Sequence, residues 1–114
     1  MQNKIAEKDI QKFILDYLLA SKKGHFWRNN TVGVFDPTRK QFRKNAGQEK
    51  GIADILGVCK GRFVAIECKA SNVKKLREDQ EIFKNNIEAC GGIFYLANDI
   101  DNFIAWFKAG VAQW

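Results

Sequence analysis

The chain has 114 residues, enough for a single domain (residues 1–114) with a modest core, and its 46% hydrophobic and 12% aromatic content excludes a disordered chain. Apolar runs such as residues 63–66 are too short to span a membrane, and the polar, mixed-charge residues 1–9 do not read as a secretory signal, so a cytoplasmic protein without membrane contact is expected. The formal net charge of +6 is concentrated: residues 22–50 hold eight basic side chains against Asp36 and Glu49, while the remainder balances, a footprint that fits either a polyanion partner or a solvated loop.

The first expected element is a helix over residues 7–20, where Ile10, Phe13, Ile14, Tyr17 and Leu18 form one apolar stripe. Gly24, after Lys22 and Lys23, is its expected stop. Residues 26–35 read as extended, with a turn allowed at Asn29-Asn30, and residues 36–51 as a long basic connection. A hairpin follows: residues 52–59 as one strand, Lys60-Gly61 as the turn, residues 62–70 as the other. A second helix is expected over 76–90, with Leu76, Phe83, Ile87 and Cys90 inward and Gly91-Gly92 ending it. Residues 93–97 form a short apolar strand, and Asp99 or Asp101 caps a last helix to about residue 108. The order helix, strand, strand, strand, helix, strand, helix gives an α/β fold, a mixed central sheet flanked by helices. Cys59, Cys68 and Cys90, odd in number and lacking a Cys-x-x-Cys pair, read as small, mostly buried hydrophobes.

The hairpin carries the unusual residues. Alternation puts Phe63, Ala65, Glu67 and Lys69 on one face of the second strand and Val64, Ile66 and Cys68 on the other. Glu67 and Lys69 thus interrupt an apolar strand, and Asp54 sits within the apolar run 52–56. A two-residue turn pairs Cys59 with Arg62, which sets Asp54 opposite Glu67, two like charges that repel unless a divalent cation, a shared proton or Lys69 intervenes. A plain Glu67–Lys69 surface pair is the alternative. Gln80 stands on the apolar stripe of the second helix, either at its edge or turned toward the hairpin. Glu7 alone is an ordinary first-turn acid.

Together these residues resemble the PD-(D/E)xK nuclease signature and, more narrowly, the VRR-NUC domain, which is similar to archaeal-type Holliday junction resolvases. The resemblance rests on Glu7 with Gln11, Trp27-Arg28-Asn29, Gly51 to Asp54, Glu67-Cys68-Lys69 and Gln80, and covers residues 7 to about 97. Ala53 stands where the family name has proline, and Leu76-Arg77 lacks the serine that often precedes the second helix. The resemblance implies a restriction-endonuclease-like core and Mg²⁺- or Mn²⁺-dependent hydrolysis of DNA. It makes Asp54, Glu67 and the Cys68 backbone carbonyl metal ligands, with Glu7 completing the shell. Lys69 orients water or stabilises developing charge, and Gln80 positions Lys69 or the water. Arg39, Lys40, Arg43 and Lys44 would hold backbone phosphates, with Arg28 nearer the cleavage site. Short members of this kind act as homodimers on branched DNA, and Trp106, Phe107, Val111 and Trp114 either supply that interface or pack as core and tail. A nuclease for nicked, flap or linear DNA and a catalytically silent nucleic-acid-binding module are the competing expectations.

Overall fold

The computed structural model describes residues 4–29, 34–36, 38, 41–43 and 49–114, with the backbone alone for 34–36 and 41–43. The described elements are α1 (Glu7–Ser21), β1 (His25–Arg28), β2 (Val34–Asp36), β3 (Gln41–Arg43), β4 (Ile55–Cys59), β5 (Arg62–Cys68), α2 (Glu78–Ala89), β6 (Ile93–Ala97) and α3 (Ile100–Gln113). One four-stranded sheet has the order β1-β4-β5-β6, antiparallel except for the β5/β6 pair, which is parallel because α2 carries the chain back across the sheet. The expected α/β fold with a mixed sheet and flanking helices is therefore present.

The tight turn between β4 and β5 follows from its two residues. Lys60 and Gly61 both have positive φ, 53° and 77°, as a type I′ hairpin turn requires. That turn pairs Cys59 with Arg62 and carries the register back to Ile55 opposite Ile66. The alternation then sorts side chains as expected. Val64, Ile66 and Cys68 are buried with Ile10, Ile14 and Leu18 of α1 and Phe103 and Phe107 of α3. Ala65 is buried on the opposite face with Ala53 and Phe83 of α2, flanked by Phe63 and Ile87. The sheet thus lies between α1 and α3 on one side and α2 on the other.

Several boundaries differ from expectation. The extended stretch divides into β1 and β2, and the connection 36–51 contains β3, which pairs with β2 as a separate ribbon. α1 ends on Lys22 at φ 55°, so this left-handed residue, not Gly24, is the stop. α2 begins only at Glu78, and Cys90 is exposed rather than inward. α3 is capped by Asp99, whose Oδ1 accepts from the Asn102 N–H at 2.8 Å, and runs on to Gln113. The apolar residues of α3 and the tail after it pack against the core. Phe107 is buried, Trp106 stacks on Tyr95 at 4.2 Å, and Trp114 packs edge-on against Trp106 at 5.5 Å, with Val111 beside the same core. Half-burial of large aromatics against an existing core explains them without a partner. Among the described residues, no helix is long and apolar enough to cross a membrane.

Candidate metal centre

Three separate chain segments meet at the C-terminal end of β5. The segment before α1 is clasped to the loop after β5: the Ile5 N–H donates to Ser71 Oγ at 2.8 Å, and the Ser71 N–H donates to the Ile5 carbonyl at 3.0 Å. This clasp sets the first turn of α1, and with it Glu7, over the end of the sheet. Asp54 lies in the bend just before β4, not in the strand, so the sheet ladder stops one residue short of it. Its carbonyl accepts from the Asn29 N–H at 2.8 Å. Its side chain reaches across: Oδ2 accepts from the Cys68 N–H at 2.8 Å. The expected direct pairing of Asp54 with Glu67 is thus replaced by a carboxylate hooked onto the backbone one residue further along β5.

Gly51 explains how the chain enters this bend. Its φ is +72°, and a Cβ there would lie 2.3 Å from the Asp79 carbonyl oxygen. Only glycine combines that backbone angle with passage directly over the first turn of α2.

Glu67 projects from β5 on the face covered by α2 and is 3% exposed. Its Oε1 accepts from Gln80 Nε2 at 3.1 Å and lies 3.9 Å from Lys69 Nζ. The Gln80 carbonyl oxygen accepts from Lys69 Nζ at 2.9 Å and from the Arg77 N–H at 2.9 Å. Two donors and one carboxylate leave the Gln80 amide a single orientation, and the same contact closes the first turn of α2. Gln80 is 4% exposed and turned toward the hairpin.

Glu7, Asp54 and Glu67 each place one carboxylate oxygen within 4.8 Å of the other two. Lys69 answers part of this negative charge, but among the described residues no donor reaches the buried Glu67 Oε2, whose carboxylate can otherwise be satisfied only by a proton shared with Asp54. An orphaned buried carboxylate oxygen costs free energy, and it borders a set of hard oxygen donors of the kind that Mg²⁺, Mn²⁺ or Ca²⁺ prefers. The residues therefore fit a divalent cation. Without one, burial first, then the neighbouring Asp54 by its charge and by sharing a proton, then Glu7, push the Glu67 carboxyl up to about 8, against the opposing pull of Lys69.

The Cys68 side chain faces the α1 and α3 core, and burial pushes its thiol well above the ordinary range, so the sulfur is not a ligand. Its backbone is placed differently. The Cys68 N–H points at Asp54, and in an extended strand the carbonyl of the same residue faces the same edge, beyond the last β4 pair.

The cavity around these groups holds about 490 Å³ and is also lined by Glu49, Lys50, Arg77 and Asp79, none of which was expected at the site. Their signal was adjacency: Lys50 precedes Gly51, and Arg77 and Asp79 flank the start of α2. Of the expected phosphate contacts, Arg28 is exposed on β1 opposite Ile55 and does not line this cavity. Arg43 belongs to β3, where only the backbone is described, and Arg39, Lys40 and Lys44 lie outside the described residues. No protein-family model, curated protein or solved structure matches the chain.

Proposed function

We propose that the chain is a divalent-metal-dependent nuclease of the PD-(D/E)xK kind, close to VRR-NUC domains, acting on DNA phosphodiester bonds. The observation that carries this reading is the meeting of Glu7, Asp54 and Glu67 beside a lysine held by a buried glutamine. The sheet order β1-β4-β5-β6 between two helical layers supports a restriction-endonuclease-like core. Glu7, Asp54 and Glu67, with the Cys68 carbonyl, would hold Mg²⁺ or Mn²⁺, which supplies charge neutralisation at phosphate and a lowered pKa for water.

The chain's own residues do the rest. Gln80 holds the Lys69 ammonium at the cavity wall, where it is a fixed donor for a non-bridging phosphate oxygen as negative charge develops. Gln80 also fixes Glu67 Oε1, which leaves Oε2 as the oxygen available to a cation. Lys50 adds positive charge at the cavity rim and attracts the backbone without reading sequence, while Arg77 there is paired with Asp79, its Nε 3.4 Å from Oδ1. Water then attacks phosphorus in line, and the departing oxygen leaves opposite it. A second copy of the chain, bringing a second site to one branched substrate, gives a junction-resolving enzyme.

Cleavage of four-way, flap, nicked and linear DNA with Mg²⁺ or Mn²⁺ tests the reading. The parent should cut at least one substrate, and Asp54→Asn or Glu67→Gln should lower the rate roughly 100-fold or more while DNA binding persists. A parent that binds DNA yet cuts nothing would leave a binding module. Variants that cut as fast as the parent would place the site elsewhere. The mass in solution, free and on a four-way junction, tests the pairing of two copies.

A further inference from the structure

A second cavity, about 550 Å³, lies on the other side of the segment that leads into α2. Lys74, Lys75 and Lys84 line it, with Glu81 the one acidic group, and Phe94, Tyr95 and Leu96 of β6 complete the wall. The two rings lie on opposite faces of the sheet: Tyr95 is stacked on Trp106 at 4.2 Å on the α3 side, whereas Phe94, half-buried, meets Phe83 edge-on on the α2 side. Among the described residues none of the three lysines forms an ion pair. The rim is anchored rather than loose: the Asn98 side chain donates to the Val73 carbonyl at 2.7 Å, and the Val73 N–H donates to the Ala70 carbonyl at 2.9 Å. This groove adjoins the metal centre. Leu96 is the register partner of Glu67, and Arg77, on the metal side of the same segment, follows Leu76 on the groove side. One strand spacing, about 4.8 Å, separates the two backbones.

We infer that this lysine-rimmed groove along β6 binds a single-stranded nucleic-acid backbone continuous with the strand at the metal centre. Unpaired cations beside the half-buried Phe94 ring supply the parts of a sequence-tolerant single-strand track, the lysines for phosphates and the ring for a base face. β6 is an edge strand, and its free edge is open to another β-strand as well. Two copies meeting there would bring their lysines together, whereas a polyanion neutralises them. The groove deepens the nuclease reading, on which it rests for the identity of the strand: it selects tailed or flapped substrates over blunt duplex.

The test reads binding in EDTA, independent of cleavage. Fluorescence anisotropy compares a blunt duplex with the same duplex carrying a single-stranded tail, for the parent, for Lys74→Gln/Lys75→Gln, and for Lys12→Gln/Lys108→Gln, an equal charge loss on the α1 and α3 side. The parent should bind the tailed DNA more tightly. The groove variant should lose that preference, and its slope of log affinity against log salt on tailed DNA should fall by about 1.4, from 0.7 per single-strand phosphate. The control pair should keep the preference. Equal binding of tailed and blunt DNA by the parent, an unchanged slope in the groove variant, or equal losses in both variants would overturn the inference. The lysines would then serve only to keep the β6 edge from pairing. Tail-dependent binding without any Mg²⁺-dependent cleavage would sink the nuclease reading and leave the groove standing.

Discussion

At the scale of single residues, the site is a problem of excess negative charge in a dry place. Glu67 is buried, faces Asp54 and Glu7, and has one neighbouring ammonium at 3.9 Å. Its carboxyl is pushed from the ordinary 4.5 up to about 8, so the folded chain holds this proton more tightly than the unfolded chain does. The resulting stability is full below about pH 4.5 and is lost as pH rises to about 8. Metal-free protein should therefore melt at progressively lower temperature from pH 5 to pH 8. Glu67→Gln should remove most of that slope, and Mn²⁺ at pH 8 should restore the melting temperature of the parent. Thermal melts in EDTA check this, and a parent whose melting point is flat across the window would contradict it. Gln80 is the second case. Gln80→Ala leaves Glu67 Oε1, Lys69 Nζ and the Arg77 N–H without their shared partner. A loss of about 1–3 kcal/mol in urea unfolding is expected, along with reduced cleavage. Unchanged stability would mean that water replaces the amide at no cost.

At the scale of elements, the site depends on how α2 meets the chain entering β4. Gly51→Ala must place a Cβ against the Asp79 carbonyl at a φ that disfavours alanine. The strained turn should cost on the order of 1–3 kcal/mol and shift Asp54. Chemical denaturation reads the first effect, and a loss of Mn²⁺ affinity greater than the loss of stability explains reads the second. The hairpin's turn, register and faces were legible in sequence because Lys60-Gly61 fixes the register and the apolar alternation fixes the faces, but its strands are shorter than the expected 52–59 and 62–70, starting at Ile55 and ending at Cys68. Glu67 and Lys69 could be placed on one face from those two patterns, whereas Gln80 stayed open between the edge of its helix stripe and the hairpin. Asp54 was legible as a site residue but not in its geometry: strand pairing predicts a partner opposite, and no period in the sequence says that the ladder ends at Ile55. The β2/β3 ribbon was hidden because three-residue strands in a polar, basic stretch have no alternation long enough to see.

At the scale of the molecule, what the sequence concealed was long-range. Glu7 by its own pattern is an ordinary helix-start acid, placed at the site only through the family resemblance, and the clasp between Ile5 and Ser71 is what brings it to a carboxylate sixty positions away in the chain. The sequence left the aromatic residues of α3 open between an interface and core packing, and their contacts with Tyr95 and Tyr17 give the packing; Tyr17 stands edge-on to Phe103 at 5.9 Å and to Phe107 at 6.1 Å. The charge asymmetry of residues 22–50 was plain, whereas the lysines of the β6 groove lie in a segment whose net charge says nothing. All of the chemistry rests on Glu7, Asp54 and Glu67 sharing one cation. Titration of the protein with Mn²⁺ near pH 8, followed through the electron paramagnetic resonance signal of free Mn²⁺, addresses that directly. The parent should remove the free signal saturably, and Asp54→Asn/Glu67→Gln should leave it as in buffer. Equal depletion by both proteins, or none by the parent, would mean that these three carboxylates do not form a metal site.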